Sequence, residues 1–128
     1  MDQYLKNAIL TASPAKLIEM LYDQIIELIQ KAIANIENNE KRNNILLRAQ
    51  DMTIYLMSIL DDQKGGQIAK NLRELYDFVY RSLVEGNIHK DPKKLEEAME
   101  IMKGLLETWK EVEKKAGQKS NVNFELSV

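Results

Sequence analysis

The chain has no cysteine, one histidine, one tryptophan, two prolines and five glycines in 128 residues. Without cysteine there can be no disulfide, no thiolate metal ligand and no thiol nucleophile. The one histidine, His89, falls in a polar stretch between apolar-periodic segments. Glu85 precedes it at the wrong spacing for the Glu-x-x-His pairs of a di-iron carboxylate bundle, and the usual zinc ligand sets are equally out of reach. Charge of one sign is missing too. Eighteen basic residues stand against 20 acidic ones, for a formal net charge of −2, and this leaves no footprint for nucleic acid. No uncharged run reaches the ~20 residues that cross a bilayer, and MDQYLKNAIL lacks the basic and apolar regions of a signal peptide. Asp61–Asp62 lacks the Asp/Asn-rich loop of a calcium site. Gly65–Gly66 lacks the spacing and preceding strand of a phosphate loop. These absences argue against an enzyme, a metal or cofactor site and membrane insertion. They leave one cytoplasmic domain, and the scarcity of helix breakers makes it helical.

What is present is long apolar periodicity. In Ser13–Ile36 (SPAKLIEMLYDQIIELIQKAIANI), Ser13 is placed to cap a helix and Pro14 suits its first position. The apolar residues from Leu17 to Ile36 fill an arc of roughly 180° on a helical wheel, wider than the ~100° stripe that one neighbour covers. A second helix is expected after Asn43 or Asn44, with Ile45, Ala49, Met52, Leu56, Ile59 and Leu60 inward. Leu46, Leu47, Ile54 and Met57 fall off that stripe, so the helix carries more apolar surface than a small bundle hides. Asp61–Gly66 reads as a turn with glycines available for positive φ. A third helix over about Gln67–Glu85 turns Ile68, Leu72, Leu75, Tyr76, Val79, Tyr80 and Leu83 inward and leaves Phe78 off the stripe. Asp91–Pro92 repeats the cap-plus-proline start, and the fourth helix buries Leu95, Ala98, Met99, Met102, Leu105, Leu106, Trp109 and Val112.

Four long helices joined by short polar loops imply an all-α, antiparallel up-down-up-down four-helix bundle over residues 13–116. KLIEMLYDQII and KNLRELYDFVY echo each other, as the first and third helices of a pseudo-twofold bundle would. Residues 1–12 put Tyr4, Leu5, Ala8 and Ile9 on one face of a segment too short to be helical alone, so it is expected to dock as a helical lid. Residues 117–128 change to an alternating pattern and are expected to form a flexible tail.

Thr11-Ala12-Ser13-Pro14-Ala15-Lys16-Leu17 and Met20-Leu21-Tyr22-Asp23 resemble the opening signature of the flagellin export chaperone family, FliS. The resemblance continues through Arg48-Ala49-Gln50-Asp51, Leu60-Asp61, Gly65-Gly66-Gln67-Ile68-Ala69-Lys70-Asn71-Leu72, Leu75-Tyr76-Asp77, Arg81-Ser82-Leu83, Asn87 and Thr108-Trp109-Lys110. Gln24 stands where the family has glycine. The resemblance implies a chaperone that binds the disordered C-terminal segment of flagellin, prevents early polymerisation and delivers it to the flagellar export apparatus. The export gate is then a further partner, and the chaperone a monomer or weak dimer. The surplus apolar residues Leu46, Leu47, Ile54, Met57 and Phe78, with Tyr4, Leu5 and Ile9 of the lid, become candidate client contacts. Asn71 and Asn87 are candidate clamps on client backbone. The competing reading is a helical scaffold that dimerises through the same surface and has no export client.

Overall fold

The structure, a computed structural model, describes residues 13–118 together with Gln3 and Lys6. The lid residues Tyr4, Leu5 and Ile9 and the tail beyond Gln118 lie outside the described residues. Four helices follow one another, α1 (Pro14–Ala34), α2 (Asn39–Ser58), α3 (Asp62–Ile88) and α4 (Pro92–Gln118), with no strand among the described residues. α1 packs against α2 and α4, and α3 packs against the same two. The helices therefore form a ring in chain order, each antiparallel to the next, which is the up-down-up-down bundle that the periodicity implies.

α1 begins as its sequence dictates. The Lys16 backbone N–H donates to Ser13 Oγ at 3.3 Å, and Pro14 takes the first position, where no N–H is needed. Its buried face runs from Leu17 through Tyr22 and Ile29 to Ala32, broad because two helices straddle it.

α2 starts earlier than expected. Asn38, not Asn43 or Asn44, is its cap, accepting from Lys41 N–H at 3.1 Å. The polar run after it is a solvated first turn, pinned by Arg42, whose side chain is buried. The inward face also differs from the expected stripe. Arg42, Leu46, Ala49, Met52, Thr53 and Leu56 point into the core, while Ile45, Ile59 and Leu60 are half-buried. Thr53 is tolerated there because its hydroxyl donates to Ala49 O at 2.8 Å.

α3 opens with one turn capped by Asp61, whose Oδ1 accepts from the N–H groups of Gln63 and Lys64, each at 3.1 Å. Gly66 then breaks the helix with φ +54°, the left-handed conformation its lack of a Cβ allows. The expected inward face of α3 needs correcting. Small residues let α3 approach its neighbours, so Ala69, Ser82 and Gly86 are buried beside Tyr76, Val79 and Leu83. Ile68 and Leu75 turn outward, and in α4 Val112 does the same.

Across the middle of the ring, α1 meets α3. Tyr22 and Tyr76 place their buried hydroxyls 2.6 Å apart, and Trp109 stands edge-on to the Tyr22 ring with centroids 6.4 Å apart. The Trp109 indole N–H donates to Ala15 O at 3.0 Å, tying α4 to the start of α1. The two tyrosines occupy the same place in the echoed Leu-Tyr-Asp segments, so the sequence echo meets itself at the bundle centre.

At the end of the bundle where α1 begins, Glu19 and Glu113 oppose each other electrostatically. Lys16 Nζ donates to Glu19 Oε2 at 2.6 Å and holds that carboxyl below its usual range. Burial, then the neighbouring Glu19 charge and a hydrogen bond between the two carboxyls, raises Glu113 above its range, and among the described residues its Oε1 has no hydrogen-bond partner. A carboxyl whose folded pKa is raised is penalised when ionised, and the penalty is relieved as pH falls through the folded value. Glu113→Gln should therefore raise the melting temperature near neutral pH, by an amount that shrinks as pH falls through the carboxylate range. Thermal melts of both proteins across that range check this, and a constant difference would mean that Glu113 does not titrate as described.

Candidate functional site

The surplus apolar surface gathers along the groove between α3 and α4. On α3, Ile68 (54% exposed), Leu75 (37%) and Phe78 (39%) line up at helical spacing with Asn71 among them. An open hollow of about 480 Å³ is lined by Asn71, Glu74, Leu75, Phe78 and Ile101 of α4. It runs on from Phe78 and Ile101 into a wider depression of about 910 Å³, which crosses the first half of α4 to Met99 and reaches Ile33 and Gln30 of α1. Because α3 and α4 run in opposite directions, exposed Ile68, ~three turns along α3 from Phe78, and exposed Val112, ~three turns along α4 from Ile101, lie toward the same end of the bundle. A continuous apolar strip left open on a small bundle marks a surface for a partner.

Each candidate residue has a definite place. Phe78 and Asn71 line the α3–α4 groove. Asn71 Oδ1 accepts from Gln67 Nε2 at 3.0 Å, so its amide N–H groups are not used in that bond. Leu47 (47% exposed) and Ile54 (46%) share the outer face of α2. Met57 is half-buried in a second hollow, between α2 and α3, with Lys70, Arg73, Glu74 and Asp77. Leu46 is not on the surface. It is fully buried in the core, on one helical stripe with Arg42, Ala49, Thr53 and Leu56.

Asn87 is engaged within the protein. Its Oδ1 accepts from Arg42 Nε at 2.9 Å and its Nδ2 donates to Asn43 Oδ1 at 2.9 Å. Arg42 Nη1 also donates to Ile36 O and to Asn39 Oδ1, so the guanidinium closes the loop between α1 and α2 onto the end of α3. Each polar atom of the Asn87 side chain thus makes one hydrogen bond in this latch. Ile68, Leu75 and Val112 are exposed residues that the expected stripes turn inward, and Ile101 is a groove residue that those stripes leave unassigned. The signal that separates them is the row of small residues, Ala69, Ser82 and Gly86, which marks the true inward face of α3.

Among the described residues no group of three or more His, Cys, Asp or Glu could hold a metal ion, and no helix is long and apolar enough to cross a membrane.

Comparison with known proteins agrees with the sequence signature. The family model described as "Flagellar protein FliS" matches residues 1–116. The flagellar secretion chaperone FliS of Salmonella typhimurium is 34% identical over 114 residues, covering 87% of this chain and 84% of the relative. The flagellar secretion chaperone FliS of Campylobacter jejuni is 36% identical over 113 residues (87% and 88%), and that of Vibrio cholerae 38% over 103 residues (79% and 76%).

Proposed function

The chain belongs to the flagellar protein FliS family, a family of flagellar secretion chaperones, and from that premise we propose that it binds the disordered C-terminal segment of flagellin. It does so in the bacterial cytoplasm, keeps the segment from polymerising early and hands it to the flagellar export apparatus. The observation that carries this reading is the open strip of Ile68, Leu75, Phe78 and Ile101 between α3 and α4. A segment that becomes helical as it docks can lay an apolar face there, with Asn71 donating to its backbone. Leu47 and Ile54 on α2 offer a second apolar contact to a long client, and Met57 can adapt to it because thioether side chains repack easily. Residues 1–12, with Tyr4, Leu5 and Ile9, complete the proposal as a lid that shields apolar surface when no client is bound.

Calorimetric titration with a synthetic peptide of the flagellin C-terminus tests it. Binding is expected with negative ΔCp, the mark of apolar burial coupled to ordering. Phe78→Ala and Leu75→Ala are each expected to weaken binding by about 1–2 kcal/mol, roughly tenfold. Both side chains are partly exposed, so unfolding stability should drop by no more than about 1 kcal/mol. Loss of cooperative folding with unchanged peptide affinity would assign these side chains to the core instead.

A further inference from the structure

The walls of the α3–α4 groove carry more acid than base, Glu74, Glu96, Glu97 and Glu100 against Lys93, and this bears on what can lie in it. Glu74 stands on the α3 wall of the hollow, and Glu97 and Glu100 stand on the α4 side of the adjoining depression. All three are exposed, and none makes an ion pair among the described residues. Lys70 and Arg73 share the α2–α3 hollow with Glu74, Arg73 being paired with Asp62 at 3.0 Å. Arg81 pairs with Asp77 at 3.0 Å on α3, and Lys94 pairs with Glu85 at 3.0 Å, bridging α4 to α3 near their connecting turn. Lys93 is the one cation that lines the depression. An apolar floor between two acidic edges is a template for a helix with an apolar stripe flanked by basic side chains on both sides. We infer that this groove selects a basic amphipathic helix, its apolar face on Leu75, Phe78 and Ile101 and its Lys or Arg side chains reaching Glu74 on one edge and Glu97 and Glu100 on the other.

The inference rests on reading the groove as the client surface and adds the charge of the segment that enters it. Charge complementarity at exposed edges acts mainly through encounter rate and discrimination among partners, and it fades with salt. A second copy of the chain is a poor occupant. In a twofold contact each groove would meet itself and set the same acids against one another.

The test uses the full-length chain and two synthetic amphipathic peptides of about 20 residues, long enough to form helix on binding. They share one apolar face, edged on both sides by lysine in one peptide and by glutamate in the other. At low salt the lysine peptide is expected to bind roughly tenfold or more tightly than the glutamate peptide, and the gap is expected to collapse at about 0.5 M salt. The triple variant Glu74→Lys, Glu97→Lys, Glu100→Lys, whose changes all lie at exposed positions, is expected to reverse the preference. Equal affinities, no binding by either peptide, or a preference unchanged in the triple variant would overturn the inference. So would self-association of the free chain that the lysine peptide competes away. The flagellin C-terminal peptide, titrated in the same series, separates this outcome from the premise. If it binds in a manner lost with Phe78→Ala while the designed peptides are not discriminated, the client groove stands and charge selection falls. If it fails to bind while the lysine peptide binds with the expected salt dependence, the premise falls and the charge selection stands.

Discussion

Tyr22→Phe and Tyr76→Phe should each destabilise the protein by about 1–3 kcal/mol, and the double variant by far less than the sum of the two. The two hydroxyls lie 2.6 Å apart and both residues are fully buried, so each is the other's hydrogen-bond partner. Removing one leaves its mate desolvated and unpaired, and that carries the full penalty of a buried polar group. Removing both leaves two rings of nearly the same shape and no orphan. Urea unfolding of the four proteins of the cycle measures this directly. Single variants within about 0.5 kcal/mol of the parent, or a strictly additive double variant, would mean that water or another group satisfies the hydroxyls. Alkaline pH gives an independent check. Burial pushes Tyr22 up to about 12, and burial together with the Tyr22 hydroxyl pushes Tyr76 higher still. Unfolded tyrosines ionise near 10, so above that pH the folded chain holds protons the unfolded chain has released. Stability then falls as pH rises, and the double variant should lose that part of the slope.

The same pair shows what the sequence makes legible. The echo of Leu21-Tyr22-Asp23 in Leu75-Tyr76-Asp77 is enough to place α1 and α3 in parallel, and the Ser13 cap marks a helix start by local chemistry alone, whereas Asp61 caps a helical turn inside the stretch that reads as a turn. The start of α2 is different. Asn38, Asn39, Asn43 and Asn44 are all competent caps, and the choice among them depends on Arg42 reaching Ile36 and Asn87, a contact between segments distant in the chain. The candidate site is half-legible for a related reason. Phe78 stands off the apolar stripe and can be singled out from the sequence. Ile68 and Leu75 lie on an arc of α3 that is wider than its neighbours cover, and which edge of that arc is covered is decided by how closely Ala69, Ser82 and Gly86 let α3 approach. Periodicity gives the width of an apolar face but not the depth of its packing.

That dependence on close approach can be measured by making one substitution at two helical glycines, with opposite expected signs. Gly86→Ala should destabilise the bundle by about 1–3 kcal/mol, while Gly104→Ala should stabilise it by about 0.5–1 kcal/mol. Neither glycine has a positive φ, so alanine fits the backbone at both and gains helix propensity at both. The difference is space. A Cβ at Gly86 would lie 2.5 Å from Leu95 Cδ2, 2.8 Å from Leu95 Cγ and 3.4 Å from Asp91 O. Leu95 is fully buried and has no empty volume to swing into, so α3 and α4 would have to separate at their connecting turn. At Gly104, exposed on α4, nothing lies within 4 Å of the added methyl group. Denaturant midpoints of the two variants decide the matter. Equal shifts would mean that propensity alone governs both sites and that α3 and α4 are not in close contact at Gly86. With the expected signs, Gly104→Ala also provides a stabilised background in which Leu75→Ala and Phe78→Ala can be combined. A loss of client binding in that background then reports on the groove and not on unfolding.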